Sequence, residues 1–186
     1  LFALCSDATN ESMHSIISAS SLIKKIKIEK AVFPIEKVLF QLVNFAISLV
    51  AVICVMIYFK IAPTVNLVFL PLLLLYVMLF SIGLGMILSA LAVFFRDVIH
   101  LWGVVMTAWM YATPIFYPIE QLVGWMQQAM SFNPIYHYIT YFRDIVMWNI
   151  RPSLSENIIC LVMGLVSLAI GILVFKKSEN RFILYV

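Results

Sequence analysis

The sequence predicts an all-α integral membrane protein, a helical bundle built around four complete transmembrane helices. Hydrophobic residues make up 64% of the 186 residues, charged residues only 11%, and the mean hydropathy is +1.06. Soluble domains are about half apolar and about a quarter charged. This composition excludes a soluble enzyme and a disordered chain, and the 3 cysteines are too few for a disulfide scaffold.

Four apolar runs without Asp, Glu, Lys, Arg or His predict the four helices. Their lengths of roughly 18 to 30 residues meet or nearly meet the ~20 that a helix needs to cross a bilayer. Because a spanning segment must satisfy its backbone internally, runs of this length are expected to be helical. The runs are residues 38–59, 66–95, 101–119 and 158–175.

The basic residues predict how the chain is oriented. With four crossings, nine of the 12 Lys and Arg residues fall on one side. Because basic flanks are retained in the cytoplasm, we expect that side and the C-terminus to be cytoplasmic, and the protein to lie in the cytoplasmic membrane. The nine are Lys24, Lys25, Lys27, Lys30, Lys37, Arg96, Lys176, Lys177 and Arg181; Lys60, Arg143 and Arg151 lie on the other side.

The sequence also excludes several chemistries. Ion-coupled transporters usually place ionisable residues inside their spans, and these four runs have none. No glycine is followed by lysine, so the chain lacks a P-loop for ATP. We therefore predict no catalytic residue, bound cofactor or metal site; the dispersed charge, net +3, also argues against nucleic acid as a partner.

The segment before the first run is basic and moderately amphipathic. Ile16, Ala19, Ile23 and Ile26 fall on one helical face, and Lys24 and Lys25 lie roughly opposite. Taken alone, these residues favour a juxtamembrane helix held to anionic lipid headgroups. The alternative is a docking helix for a partner protein.

The second run contains a face of small residues and is followed by a charged pair. Ser81, Gly85 and Ser89 are four apart, a spacing that lets another helix approach closely. Arg96 and Asp97 follow at the membrane boundary. They form either a local pair with a snorkelling arginine or a cytoplasmic gate.

The third run carries a periodic aromatic face. Its spacing of 4, 3, 4 and 3 places five side chains on one side of a helix. That face would either stack on sugar rings along a translocation path or pack against a neighbouring helix. Two prolines near its outer end require neighbours or water to satisfy the freed carbonyls. The five residues are Trp102, Met106, Trp109, Thr113 and Phe116.

Residues 120–157 are too aromatic for a solvated loop. Asn133-Pro134 is a turn signal that also begins a helix. It separates two short stretches, 120–130 and 134–148. We predict short helices that lie in, or dip into, the outer membrane interface.

Five segments, read in order, carry a family resemblance: LIKKIKIEKAVFP, VFFRDVIHL, TPIFYPIEQL, FNPIYHYITYFRDIV and FKKSENRF. From about Ser12 onward the chain resembles the membrane subunit of type 2 ABC exporters, specifically the polysaccharide and polyol phosphate export permeases. The resemblance implies one transmembrane domain over 1–186, a homodimer, and two cytoplasmic ATPase subunits that carry ATP and Mg. It also implies six spans, so that residues 1–20 would be the end of a truncated second span.

The resemblance also implies roles for individual residues. The coupling segment that touches the ATPase would include Leu22, Ile23, Lys24, Lys25 and Ile26, which reverses the preference for a lipid-bound helix. Arg96 and Asp97 would lie at the cytoplasmic mouth. Within the domain, 1–37 would hold the truncated span and coupling segment, 38–119 three transmembrane helices, 120–157 the outer helices, and 158–186 the last span and basic tail.

We therefore expect a permease subunit that exports a lipid-linked polysaccharide, with the third-run aromatic face lining part of the path. The first alternative is a type 2 ABC exporter of a drug or small lipid. A membrane-bound glycan-modifying enzyme lacks a paired acid and base in this sequence. A non-transporting scaffold would have no associated ATPase.

Overall fold

A computed structural model describes residues 1–26, 28–58, 65–179 and 181–182, with Glu120 described by its backbone alone. Within these ranges the fold is all-α, as predicted. Short 3₁₀ turns cover Val65–Phe69 and Ile119–Gln121. The helices are α1 (Phe2–Ser18), α2 (Ser20–Lys25), α3 (Val32–Tyr58), α4 (Leu70–Phe94), α5 (Val98–Ala112), α6 (Gly124–Met130), α7 (Pro134–Val146) and α8 (Leu154–Glu179).

Three of the helices in the described ranges are long and apolar enough to cross a membrane. These are α3, α4 with its preceding turn, and α8, with lengths of 27, 30 and 26 residues. They correspond to the first, second and fourth apolar runs. Residue 59, the predicted end of the first run, lies outside the described residues.

The prediction of a complete third transmembrane helix over 101–119 is wrong. α5 has 15 residues and ends at Ala112, because Thr113 adopts an extended conformation at ψ 133°. Pro114 follows Thr113, and a residue before proline is disfavoured in the helical region. At 1.5 Å per residue α5 is about 22 Å long, shorter than a ~30 Å hydrocarbon core.

α4 lies at the centre of the bundle and packs against α1, α3 and α8. The small face predicted in the second run is confirmed as a packing face: Ser81 and Ser89 are buried, and a Cβ on Gly85 would lie 2.8 Å from Ser12 Oγ of α1. A second close approach joins α4 to α8. Any side chain at Gly171 would collide with the backbone of Gly83, so these glycines allow the two helices to touch.

The bundle has two chemically different ends. At the basic end, the C-terminal ends of α4 and α8 lie close together. There Lys30 Nζ donates to the Glu179 carbonyl at 2.5 Å and lies 5.8 Å from the Phe182 ring centroid. We call the opposite end the α7 end; it contains α6, α7 and residues 113–119. There Tyr76 of α4 and Tyr141 of α7 both donate to Asn157 Oδ1 of α8, at 3.3 and 2.8 Å.

Candidate functional site

The aromatic face of α5 is turned toward the bundle. Trp102 Nε1 donates to Thr9 Oγ1 of α1 at 3.0 Å. The Trp102 and Trp109 rings meet edge to face at 6.4 Å, and Met106 between them is buried. These contacts correspond to the packing alternative for this face, and they hold α5 against α1.

Asn133 links α5 to the start of α7. Its Oδ1 accepts from Trp109 Nε1 at 3.0 Å and from the backbone N–H of Ile135 at 3.1 Å. Its Nδ2 donates to Thr113 Oγ1 at 2.9 Å. Asn133 is thus the N-cap that begins α7, as the Asn-Pro pair predicted, and it also fixes the point where α5 ends.

Phe116 does not share the face of the other four residues. Because α5 ends at Ala112, the helical spacing no longer applies beyond Thr113. Thr113 is buried against Asn133, whereas Phe116 is 73% exposed. The prediction of one continuous five-residue face is therefore wrong at Phe116.

Four backbone carbonyls at the break after α5 accept hydrogen bonds from side chains. Arg143 of α7 donates from Nη1 to the Pro114 carbonyl at 3.3 Å and from Nη2 to the Ile115 carbonyl at 2.5 Å. The Tyr117 hydroxyl donates to the carbonyls of Tyr111 and Ala112 at 2.9 and 3.1 Å. Neighbouring side chains therefore satisfy these four carbonyls, as the proline positions required.

Sequence reasoning missed the structural roles of Arg143 and Thr9. Arg143 reaches residues 28 and 29 positions away along the chain, and Thr9 meets Trp102 across 93 positions. Neither contact leaves a local pattern. Only the proline pair at 114 and 118 indicated that some donor had to lie nearby.

α7 also carries titratable groups on its packed side. Burial, followed by the nearby Tyr76, raises the pKa of Tyr141 to about 12, so its hydroxyl stays protonated and donates to Asn157. Burial, followed by the charge of Glu156, raises the pKa of the Asp144 carboxyl. Over the described ranges, no group of three or more His, Cys, Asp or Glu side chains is arranged to hold a metal.

The predicted coupling segment is helical at its start and extended at its end. α2 covers Ser20–Lys25, and Ile26 is extended, with φ −132° and ψ 139°. Ile23 is only 8% exposed and packs in a cluster with Val38 and Phe175. Leu22 and Ile26 are 40% and 53% exposed, so the prediction that Ile23 and Ile26 share one face is wrong: a helix break intervenes.

The exposed side chains of this segment form a mixed apolar and basic surface. We call Leu22, Lys24, Lys25 and Ile26 the α2 surface; all four are exposed, while Ile23 anchors the segment to the bundle. The chemistry suits contact with another macromolecule, because apolar side chains next to cations are costly to leave in water and favourable to bury.

Arg96 and Asp97 are both exposed in the turn between α4 and α5. Among the side chains that the structure describes, the ion pair within 4.0 Å is Glu36 with Lys37, so Arg96 and Asp97 do not form the local pair. An adjacent cavity of about 420 Å³ is lined by Phe94, Phe95, Lys177, Ser178 and Arg181.

Comparison with known proteins places the chain among membrane transport proteins. Residues 31–147 match the family model described as ABC-2 type transporter. The chain is similar to an O-antigen export system permease protein RfbA of Klebsiella pneumoniae, 26% identical over 180 residues, covering 95% of this chain and 68% of that protein. It is also similar to a protein of the same description from Myxococcus xanthus, 25% identical over 170 residues, covering 90% and 65%.

Proposed function

The chain belongs to the ABC-2 type transporter family, and on that premise we propose that it is the permease subunit of an exporter that moves lipid-linked polysaccharide of the O-antigen type. The observation that carries this is similarity to O-antigen export permeases over 95% of the chain. A drug or small-lipid exporter and a glycan-modifying enzyme have no comparable support.

The proposed orientation places the basic end in the cytoplasm and the α7 end at the outer face of the cytoplasmic membrane. Nine of the 12 basic residues flank the ends that would be cytoplasmic. The contacts of Lys30 with Glu179 and Phe182 support this grouping, because residues far apart in sequence meet at one end of the bundle.

An ABC ATPase is the expected partner, since the chain has no P-loop and the family couples transport to ATP hydrolysis on a separate subunit. We propose that two ATPase subunits serve a homodimer of this chain. The α2 surface would contact the ATPase, because it exposes apolar and basic side chains while Ile23 is packed in the bundle. Through Ile23, a movement of the segment would reach the bundle. ATP and Mg would be held by the partner.

The proposed translocation path would run beside α5. Phe116 is exposed and available to line it. Trp102, Met106, Trp109 and Thr113, first considered as lining residues, would instead position the segment that carries Phe116. Arg96 and Asp97 lie at the other end of α5, where a gate would respond to movement of the α2 surface.

Complementation tests the proposal. The full gene is expressed, with its cognate ATPase, in a strain that makes an O-antigen but lacks its own export permease. We expect surface O-antigen, measured with an antibody on intact cells, only when both proteins are present. Surface display without the ATPase, or persistent intracellular glycan with both proteins in the membrane, would contradict it.

A further inference from the structure

The α7 end contains a cavity that takes no part in the proposed ATPase contact, gate or translocation path. It has a volume of about 390 Å³ and lies between the non-helical residues after α5 and one face of α7. Tyr136, Thr140 and Arg143 line it at positions i, i+4 and i+7 of α7, a spacing that places them on one helical face. Tyr117 and Trp148 supply the facing aromatic walls.

The opposite face of α7 packs in the core, so the face that lines the cavity is not needed for packing. Tyr138, Tyr141 and Ile145 are buried, and Tyr138 donates to the Cys160 carbonyl of α8 at 3.2 Å. The cavity face carries aromatic rings, a hydroxyl and a guanidinium instead of aliphatic side chains. Such a composition suits a ligand with both a charged group and an apolar surface.

The Arg143 guanidinium is held in place yet keeps unused donors. Two of its five N–H groups donate to the Pro114 and Ile115 carbonyls. These contacts fix the plane of the group and leave three N–H donors. Among the described side chains, no carboxylate lies within 4.0 Å of it; the ion pair that these side chains form joins Glu36 and Lys37 at the basic end.

This half-buried guanidinium has no anionic partner among the described side chains. Such a group favours an anionic ligand, because burial of an uncompensated charge is costly. Its planar fork matches two oxygens of a phosphate. Thr140 adds a hydroxyl on the same face one turn away, and Tyr136 and Trp148 offer rings for an organic group bonded to the phosphate.

We propose that this cavity binds a phosphodiester headgroup, with the phosphate oxygens accepting from Arg143 and Thr140 and the attached organic group resting against Tyr136 and Trp148. The same chemistry has two sources: an anionic phospholipid, or the diphosphate that links a glycan to its lipid. Only the second source rests on the proposed export function.

Lipid titration of the purified full chain, followed by native mass spectrometry in detergent, tests the site. The probes are dioleoylphosphatidylglycerol, dioleoylglycerol, which lacks the phosphate, and polyprenyl diphosphate-linked N-acetylglucosamine. We expect at least one phosphate-bearing probe to bind about tenfold more tightly than dioleoylglycerol, the size of one charge-assisted contact. Tighter binding of the polyprenyl probe would assign the site to the glycan carrier, and equal or tighter binding of phosphatidylglycerol to a membrane lipid.

Variants connect that binding to the cavity. Thr140→Val, which is nearly isosteric, and Arg143→Lys, which keeps the charge but loses the fork, should each weaken phosphate-dependent binding by about fivefold. Arg151→Gln is the matched control, because Arg151 lies over the Phe69 ring, outside the cavity. Equal affinity for dioleoylglycerol, unchanged binding in folded Thr140→Val, or an equal loss in Arg151→Gln would overturn the proposal. If export fails while the cavity still binds phosphatidylglycerol, the proposed function is wrong and this inference stands.

Discussion

The two ends of the bundle use polar residues in opposite ways. At the α7 end, Asn133, Asn157 and two N–H groups of Arg143 form hydrogen bonds with groups inside the chain. At the basic end, Arg96 and the α2 surface expose their charges and their apolar side chains. The first end fixes a backbone that cannot be helical, and the second leaves groups free for a partner.

This difference follows from where helices are interrupted. In the proposed orientation the break after α5 lies at the outer membrane interface, where water reaches the carbonyls less freely, so donors from the protein stabilise it. A break at the basic end, such as the one after α2, lies where solvent or another protein supplies the partners. Substitutions of the hydrogen-bonded residues at the α7 end should therefore affect folding, and substitutions of the exposed residues at the basic end should affect association.

Loss of the Asn133 side chain should have the largest effect. Asn133→Ala leaves the Trp109 N–H, the Thr113 hydroxyl and the Ile135 N–H without their partner. At about 1–3 kcal/mol for each buried unsatisfied group, we expect a loss of about 4 kcal/mol in stability. Thermal unfolding in detergent measures it. The matched control is Asn44→Ala, since Asn44 is exposed and, among the described residues, its side chain bonds to Gln41. An equal loss of stability in Asn44→Ala would contradict the difference between the two ends.

Trp109→Ala and Phe116→Ala separate packing from path lining. Trp109 meets Phe80 and Trp102 edge to face, so its truncation should cost about 3 kcal/mol. Phe116 is exposed, so its truncation should leave the melting temperature unchanged while lowering surface glycan display. Normal display by a well-expressed Phe116→Ala permease would remove Phe116 from the proposed path.

The smallest effect concerns Asp144 and depends on pH. Because burial and then Glu156 raise its pKa in the folded state, the folded protein retains this proton better than the unfolded chain. Stability from this group is present at low pH and is lost as the pH rises through the folded-state pKa. Asp144→Asn should therefore be more stable than the native chain at pH 7. The gain should be smaller than the losses expected for Asn133→Ala and Trp109→Ala. The gap in melting temperature should close on acidification; a gap that widens would contradict the assignment.

The sequence predicted much of the architecture and little of its long-range bonding. Apolar runs located α3, α4 and α8, and Asn133-Pro134 located the start of α7. The third run was extended too far. Its apolar residues continue through Thr113-Pro114, but the helix ends before them. Periodicity found the face shared by Trp102, Met106 and Trp109. It did not tell whether that face meets protein, lipid or a path, since all three accept apolar side chains.

The sequence also could not show which side chains of the coupling segment are buried in the bundle and which are exposed. Ile23 and Ile26 look equivalent on a continuous helix, yet only Ile23 is buried because the helix ends at Lys25. The partners of Arg143 lie 28 and 29 residues away. Contacts of that range depend on the packed fold and leave no local signature.

Site-specific photocrosslinking tests the contrast between the two ends most directly. The photoreactive residue p-benzoylphenylalanine replaces Ile26 in one variant and Phe116 in another, each expressed with the cognate ATPase. Both positions are exposed apolar side chains, so each substitution should leave the bundle intact. After irradiation of membranes, we predict a permease–ATPase adduct from position 26 and none from position 116. An adduct from position 116, or none from position 26 in a complex that still co-purifies, would contradict the assignment of the α2 surface to the ATPase.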